Sequence, residues 1–433
     1  MPQITTLALQ NRTIHRTILN NGITVLAVEN PAADIVAARF FLRAGGRYEA
    51  AAKAGISHLL SAVITKGTER LSSQEIAERV ESVGASLGAD SAADYFLMSL
   101  KTVSADFEEM LDLMAEVMRS PSFPDDEVDL ERRQAVQGIR SMQEQPFSVA
   151  NAQLRQAMFQ NHPYAMSSLG TEETASRLSR EDLLEYHQTF FRPDNLIVSI
   201  VGRIVPERAI ALIEQYFGDW QAPQEEQGVV PLPRLDLPKI VAQPERVVTV
   251  QDTQQAIVML GYLAIPVNSP EHIALRLLST YLGNGLSSRL FVELREKRGL
   301  AYEVSAFYPT RLDQSQFVVY MGTAPDNVAI ALEGLQQEVD RLRSVLLTAD
   351  EMQAAKNKLL GQYALGKQTN GQIAQIFGLY ETLGLGIEFD EQFQEYVAAV
   401  TAERAREAAR DCFTQPYISL VGPAIAVEQA VLS

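Results

Sequence analysis

Cysteine is almost absent. Cys412 stands alone in 433 residues, so no intrachain disulfide and no thiolate metal cluster can form, and nothing points to an oxidising compartment. Long apolar runs are missing too. The longest clean one, Ala256 to Val267, falls far short of the roughly 20 residues that a membrane-spanning helix needs. Basic residues are outnumbered, with 37 Lys and Arg against 54 Asp and Glu and a formal net charge of −17. Such a surface lacks the basic stripe that displaces counterions from nucleic acid, so no nucleic-acid partner is expected. It suits basic ligands or peptides, although acidity also keeps proteins in solution. The opening MPQITTLALQNRTIHR has no basic stretch leading into an apolar one, and the expectation is a cytoplasmic chain without a membrane partner. There is no G-x-S-x-G elbow and no P-loop. Gly283 to Ser288 reads G-x-G-x-x-S, but it does not join a strand to a helix start as a dinucleotide site requires.

What is present is ordinary globular composition, 46% hydrophobic and 21% charged, in a length that suits two or three domains at about 150 residues each. Five prolines (Pro223, Pro231, Pro233, Pro238 and Pro244) crowd the stretch from Gln221 to Arg246. Proline fixes φ and cannot continue a helix, so this stretch reads as an extended linker, 221–246, between domains 1–220 and 247–433.

The two halves repeat one pattern. In the first, Val25 to Leu42 alternates like strands, and Gly55 to Val63 and Ser72 to Val83 have helical periodicity, with Ser72 or Ser73 as cap and Gly84 as stop. Ser86 to Thr102 returns to strand. Phe107 to Arg119 is an amphipathic helix, a helical tract runs from Pro124 to Phe159, another helix starts at Arg180, and NLIVSIVG ends a strand at Gly202. In the second half, strand Ala256 to Ile265 precedes the mostly helical Glu271 to Lys297 and strand Tyr302 to Gly322. Helical tracts Asn327 to Arg343, Thr348 to Thr382 and Phe389 to Cys412 then lead to strand Ile418 to Gly422. Arg119-Ser120 answers Arg343-Ser344, Asp126-Glu127 answers Asp350-Glu351, and VSIVG answers ISLVG. The reading is an internal repeat: an α+β fold of two homologous layered domains, each a mixed or antiparallel sheet with helices packed on one face. Duplicated halves can close on one another around a chamber.

Two segments carry chemistry. Gly55 to Thr68, GISHLLSAVITKGT, places the single histidine His58 on an amphipathic helix, where a lone His is ordinarily structural. Leu282 to Val304, LGNGLSSRLFVELREKRGLAYEV, reads as a helix capped by Ser287 or Ser288. Its last turn carries Arg295, Lys297 and Arg298, Gly299 stops it, and Tyr302 opens a strand.

Both segments resemble the pitrilysin/insulinase zinc peptidases, the inverzincins. GISHLLSAVITKGT is similar to their G-[IL]-[AS]-H-x-x-E-H-x-x-x-K-G-T signature, in which two histidines four apart bind zinc and the intervening Glu is the general base. His58 matches the first histidine, Ser61 stands at the Glu and Ala62 at the second histidine. The distal ligand belongs to a pattern resembled by Glu131 to Gly138. Glu131 is kept, and Gly138 occupies the ligand position. Zinc hydrolysis needs about three protein ligands and a carboxylate base, so the resemblance implies a degenerate site with no metal in this chain. His15, His162, His187 and His272 offer no second ligand spacing.

SSRLFxELREKRGLAYxV, in contrast, matches the family's second-domain signature. The resemblance implies that Arg295 holds substrate backbone and that Tyr302, seven residues on, donates to the scissile carbonyl. His162-Pro163-Tyr164, Gly170-Thr171-Glu172 and Phe191-Arg192-Pro193-Asp194-Asn195 resemble further family segments and bear on the fold. The expectation is a non-catalytic subunit like that of the mitochondrial processing peptidase. It would be paired with a zinc-binding catalytic subunit and act on a peptide or unfolded polypeptide. The alternative is a non-enzymatic scaffold, or a homodimer that binds peptides without cutting them. Cys412, near a helix end, is expected in the core.

Overall fold

The protein was analysed as a computed structural model that describes residues 5–9, 12–225 and 228–427. The first half runs β1 (Thr5–Leu9), β2 (Arg12–Ile18), β3 (Thr24–Glu29), β4 (Ile35–Leu42), α1 (Ile56–Val63), α2 (Ser73–Ser82), β5 (Ser86–Ser91) and β6 (Phe96–Val103). It continues with α3 (Phe107–Arg119), α4 (Asp125–Glu144), α5 (Pro146–Phe159), α6 (Glu172–Arg177), α7 (Arg180–Phe190), β7 (Leu196–Gly202) and α8 (Pro206–Phe217). The short strands β8 (Gln224–Glu225) and β9 (Gly228–Val229) and then β10 (Arg246–Val250) lead into the second half. There follow β11 (Ala256–Ala264), α9 (His272–Gly283), β12 (Ala301–Phe307), β13 (Ser315–Thr323), α10 (Val328–Ser344) and α11 (Ala349–Leu365). The last are α12 (Asn370–Thr382), α13 (Phe389–Ala399), α14 (Ala402–Cys412) and β14 (Tyr417–Gly422).

Each long helical tract of the sequence is two helices, and the breaks have local causes. Gln145 precedes Pro146 and is held extended, so α4 ends there and Pro146 opens α5 at its first position. Thr369 starts α12 with a reciprocal cap to Gln372, and Thr401 caps α14. Ser72, not Ser73, caps α2 through a reciprocal pair with Glu75, and Gly84 takes φ 62 as expected of a stop.

The sheets repeat one another. The first has the order β1-β2-β3-β7-β4-β6-β5 and the second β10-β14-β11-β13-β12. In both, the parallel pair comes at the same place, β3 with β7 and β10 with β14, and all other neighbours are antiparallel. The mixed sheet and the duplication are therefore as the sequence implies. On the first sheet, Val36, Ala38, Phe40, Met98 and Ile200 point into one core with residues of α1, α3, α7 and α8. Val25 and Ala27 of β3 join that core, while the alternate residues Leu26 and Val28 of β3 and Val201 of β7 point the other way and pack on Ile373, Ala374 and Phe377 of α12.

That second covering helix comes from the far half of the chain. The chain forms two compact units: Met1–Ile139, Ser167–Asp236 and Ala364–Gln392 make one, and Arg140–Met166, Leu237–Tyr363 and Phe393–Ser433 the other. The linear division at 221–246 thus differs from the packed one, because each sheet recruits a helix from the opposite half. In the first unit α12 lies on β4 and β7, with Gly378 over the Phe41 ring and Arg16 Nη2 2.7 Å from Glu381 Oε1. In the second, α5 lies on β14 and β11. There Gln153 Nε2 donates to Ser419 Oγ at 2.8 Å, and Ser419 Oγ donates to Ala150 O at 2.8 Å. The proline-rich stretch has neither helix nor strand from Pro231 to Glu245.

Candidate functional site

Helix α1 is held from beneath. Gly55 at its start has φ 95, and a Cβ there would lie 2.5 Å from Leu169 O, so only glycine fits. Buried Glu49 accepts from Gly55 N at 2.8 Å and Ser57 N at 3.0 Å, and also from the Ser57 hydroxyl. A carboxylate on the first N–H groups of a helix satisfies donors that have no intrahelical partner. Burial nonetheless pushes the Glu49 carboxyl above its usual range. No motif drew attention to Glu49; its place ahead of the helix was the available signal.

His58 is half-buried on α1. Burial lowers its pKa, with Asp90 and Glu131 pulling the other way, so the imidazole is biased to the neutral form. The Ser61 hydroxyl donates back to His58 O at 2.7 Å and is occupied by the helix backbone. Ala62 offers no donor. Glu131 on α4 is neutralised by Lys66, Nζ to Oε1 3.1 Å. Gly138, further along α4, faces the Leu169 methyl and has nothing else within 4 Å of where a Cβ would be. A tetrahedral zinc site needs three such side chains converging on one point. Among the described residues no group of three or more His, Cys, Asp or Glu could hold a metal ion. The donors around His58 do not fit zinc.

The second segment lies in the other unit. A Cβ on Gly283 would fall 1.9 Å from Ala306 N, so this glycine lets α9 end directly against β12. Neither expected serine cap forms: Ser287 Oγ meets Lys358 Nζ at 3.5 Å, and Ser288 Oγ is enclosed without a partner. The turn from Phe291 to Glu296 is wound as a π-helix, with Lys297 N reaching Val292 O at 3.0 Å. This wider turn spaces Arg295 away from the ideal helical position. Arg295 is exposed, its guanidinium 5.0 Å from the Phe291 ring centroid, and among the described residues it has no carboxylate partner. Gly299 takes φ 63 and ends the turn.

Tyr302 sits on β12, the edge strand of its sheet. Ala301 pairs with Thr323 and Glu303 with Gly322, so Tyr302 is the extra residue of a bulge. Bulges re-aim side chains, and Tyr302 is 56% exposed. Its hydroxyl has no hydrogen-bond partner among the described residues. Neither the π-turn nor the bulge was legible in the motif. The other family-like segments are structural: His162 Nδ1 accepts from Tyr164 N at 3.1 Å, and Asn195 Nδ2 donates to Phe190 O at 2.9 Å. Cys412 is buried as expected, and burial raises its thiol to about 12.

A duplicated α+β fold, with a helix bearing His58 in one unit and a basic turn followed by an exposed tyrosine in the other, defines the class. Residues 24–172 match the family described as insulinase (peptidase family M16), and residues 177–359 match the peptidase M16 inactive domain. The chain belongs to peptidase family M16. It is 28% identical over 418 residues to an uncharacterized zinc protease of Bacillus subtilis, covering 95% of this chain and 98% of that protein. A second uncharacterized zinc protease, from Streptomyces coelicolor, is 26% identical over 413 residues, covering 95% and 90%. The fold is shared with a protease from Helicobacter pylori (TM-score 0.87, 23% identity, 98% and 100% of the chains). It is shared equally with a peptidase M16 inactive domain from Pseudomonas fluorescens (TM-score 0.87, 24% identity, 95% and 99%). Among the described residues no helix is long and apolar enough to cross a membrane.

Proposed function

We propose that this chain is the non-catalytic subunit of a two-chain zinc peptidase, supplying Arg295 and Tyr302 to a site whose zinc is held by the partner chain. The observation that carries the reading is an asymmetry. Around His58 the positions for a second histidine, a base and a distal acid hold Ala62, Ser61 and Gly138. Arg295 and Tyr302 are instead exposed and, among the described residues, without polar partners, and are set out by a π-turn and a bulge. Family membership supports the pairing, since the degenerate motif leaves hydrolysis to another chain.

In this account a peptide is held as an added strand, its backbone satisfied by main-chain hydrogen bonds. The Arg295 guanidinium holds a peptide carbonyl next to the scissile bond. The Tyr302 hydroxyl donates to the scissile carbonyl oxygen as negative charge builds there, a contribution of about 3 kcal/mol in a water-excluded site. The test uses the purified pair. Adding this chain to the partner should raise peptide cleavage. Tyr302→Phe should lower kcat about 100-fold while leaving assembly and KM nearly unchanged. Unchanged kcat in that variant removes Tyr302 from the chemistry. Cleavage by the partner alone at the full rate contradicts the shared site.

A further inference from the structure

The first unit holds a cavity of about 800 Å³ that is lined by none of His58, Ser61, Ala62, Glu131 and Gly138. A second hollow of about 310 Å³ adjoins it through Glu69, Arg119 and Ser120. Trp220, the one tryptophan of the chain, lines the larger cavity together with Phe191, and Pro223, Pro231 and Pro233 of the proline-rich stretch form a wall.

The electrostatics of the cavity are one-sided. Its two arginines are already neutralised: Arg119 Nη1 lies 2.8 Å from Asp219 Oδ1, and Arg192 donates to both Asp194 oxygens at 2.6 and 2.7 Å. Arg192 also reaches Val230 O at 2.6 Å and ties the proline wall in place. His187 adds no charge, because burial takes it to about 4 and its Nε2 is 2.8 Å from Met118 O. Glu69 and Glu225 have no cationic partner among the described residues; in the adjoining hollow Arg70 is held by Glu116, with Asp112 close enough to share its charge.

Aromatic rings and unpaired carboxylates lining one cavity are the chemistry that receives a cation: a ring face attracts it and the acids neutralise it. Two joined hollows with acids spread along them match several charges on one chain better than a single small cation. Proline walls present no N–H to compete for an extended backbone. We propose that this cavity binds a basic, extended polypeptide segment, with an arginine or lysine side chain laid on Trp220 and its neighbours met by Glu69 and Glu225. The proposal does not depend on the Arg295–Tyr302 chemistry.

Trp220 is its own reporter. Titrating the full chain with the blocked hexapeptide acetyl-(Pro-Arg)3-amide should give a saturable change in Trp220 emission, matched by heat in calorimetry. Glu69→Gln with Glu225→Gln should weaken that binding about tenfold, at roughly 0.7 kcal/mol for each lost ion pair. Blocked (Pro-Glu)3 should not bind. Absence of both signals overturns the proposal, as does equal binding by the double variant or by the acidic peptide. Heat without a change in Trp220 emission places the peptide elsewhere and also overturns it. So does acetyl-arginine-amide binding as tightly as the hexapeptide.

Discussion

If α1 and α4 bring the degenerate positions around His58, restoring the missing donors should restore zinc. The perturbation is Ala62→His with Gly138→Glu, which would give three protein ligands with His58. The structure leaves room at Gly138, and Ala62 is only half-buried. Gly138 lies inside α4, and a Cβ there would be 3.6 Å from Leu169 Cδ1, an ordinary contact, with nothing else within 4 Å. Replacing this helical glycine by Glu gains about 0.6 kcal/mol of helix propensity, and placing His at position 62 loses a similar amount. The metal-free double variant should therefore match the parent in stability to within about 1 kcal/mol. His58 needs no deprotonation at neutral pH, since burial already lowers its pKa. At free zinc about 1,000 times the dissociation constant, binding to the folded state alone adds about 4 kcal/mol. The assay is metal content after chelation and reloading, with urea unfolding in the presence and absence of zinc. One zinc per double variant, a zinc-dependent stability gain and no stoichiometric zinc in the parent are expected. A folded double variant that stays metal-free refutes the motif correspondence, and a parent that loads one zinc refutes the degeneracy.

Two glycines at the contacts of the exchanged helices, Gly378 on α12 and Gly261 on β11, should respond differently to alanine. At Gly378 the new methyl would lie 2.3 Å from the fully buried Phe41 ring, so about 1 kcal/mol of helix propensity is outweighed by roughly 2–3 kcal/mol of overpacking. At Gly261 the nearest atom is the Met158 sulfur at 2.6 Å. That side chain can shift, and the cost should stay below about 1 kcal/mol; urea midpoints in the reverse order would contradict the packing. His187 and His272 are buried at about 4 and about 3, below the ordinary 6.5. Unfolded histidines take up protons first, so stability is full above pH 6.5 and falls as pH drops toward these values. Each histidine contributes about 2 kcal/mol of loss by pH 5. His187→Gln should flatten that slope in unfolding curves, and an unchanged slope counts against it. Cys412, buried and raised to about 12, should react with a thiol reagent only after unfolding; fast labelling of the native chain would contradict its burial.

Periodicity and caps were enough to locate most helices and strands, because Ser72, Pro146 and Gly84 act on their own neighbours. The repeat was visible for the same reason: VSIVG and ISLVG are the corresponding interior strands β7 and β14 of two sheets that share one order over five strands. The exchange of α5 and α12 was not. Gly378 over Phe41 and Gln153 on Ser419 join residues more than 260 positions apart, and no local pattern encodes such a contact. Strands β1, β2 and β10 were also passed over; each lies toward one end of its sheet and alternates weakly. At the proposed site, residue type alone says that Ala62 and Gly138 bring no side-chain donor and that Ser61 brings a hydroxyl in place of a carboxylate. The π-turn at Phe291–Glu296 and the bulge at Tyr302 have no such mark in residue type; the bulge arises from how β12 registers on β13. The acidic cavity beside Trp220 draws on α7, the strand approach and the proline-rich stretch, which the sequence presents as a linker.

The most direct test of the account is native mass spectrometry of the tagged endogenous complex, read for partner mass and bound zinc. The account predicts a heterodimer holding one zinc that stays with the partner chain on dissociation. A metal-free homodimer would contradict it and leave a peptide-binding or scaffolding protein of the same fold.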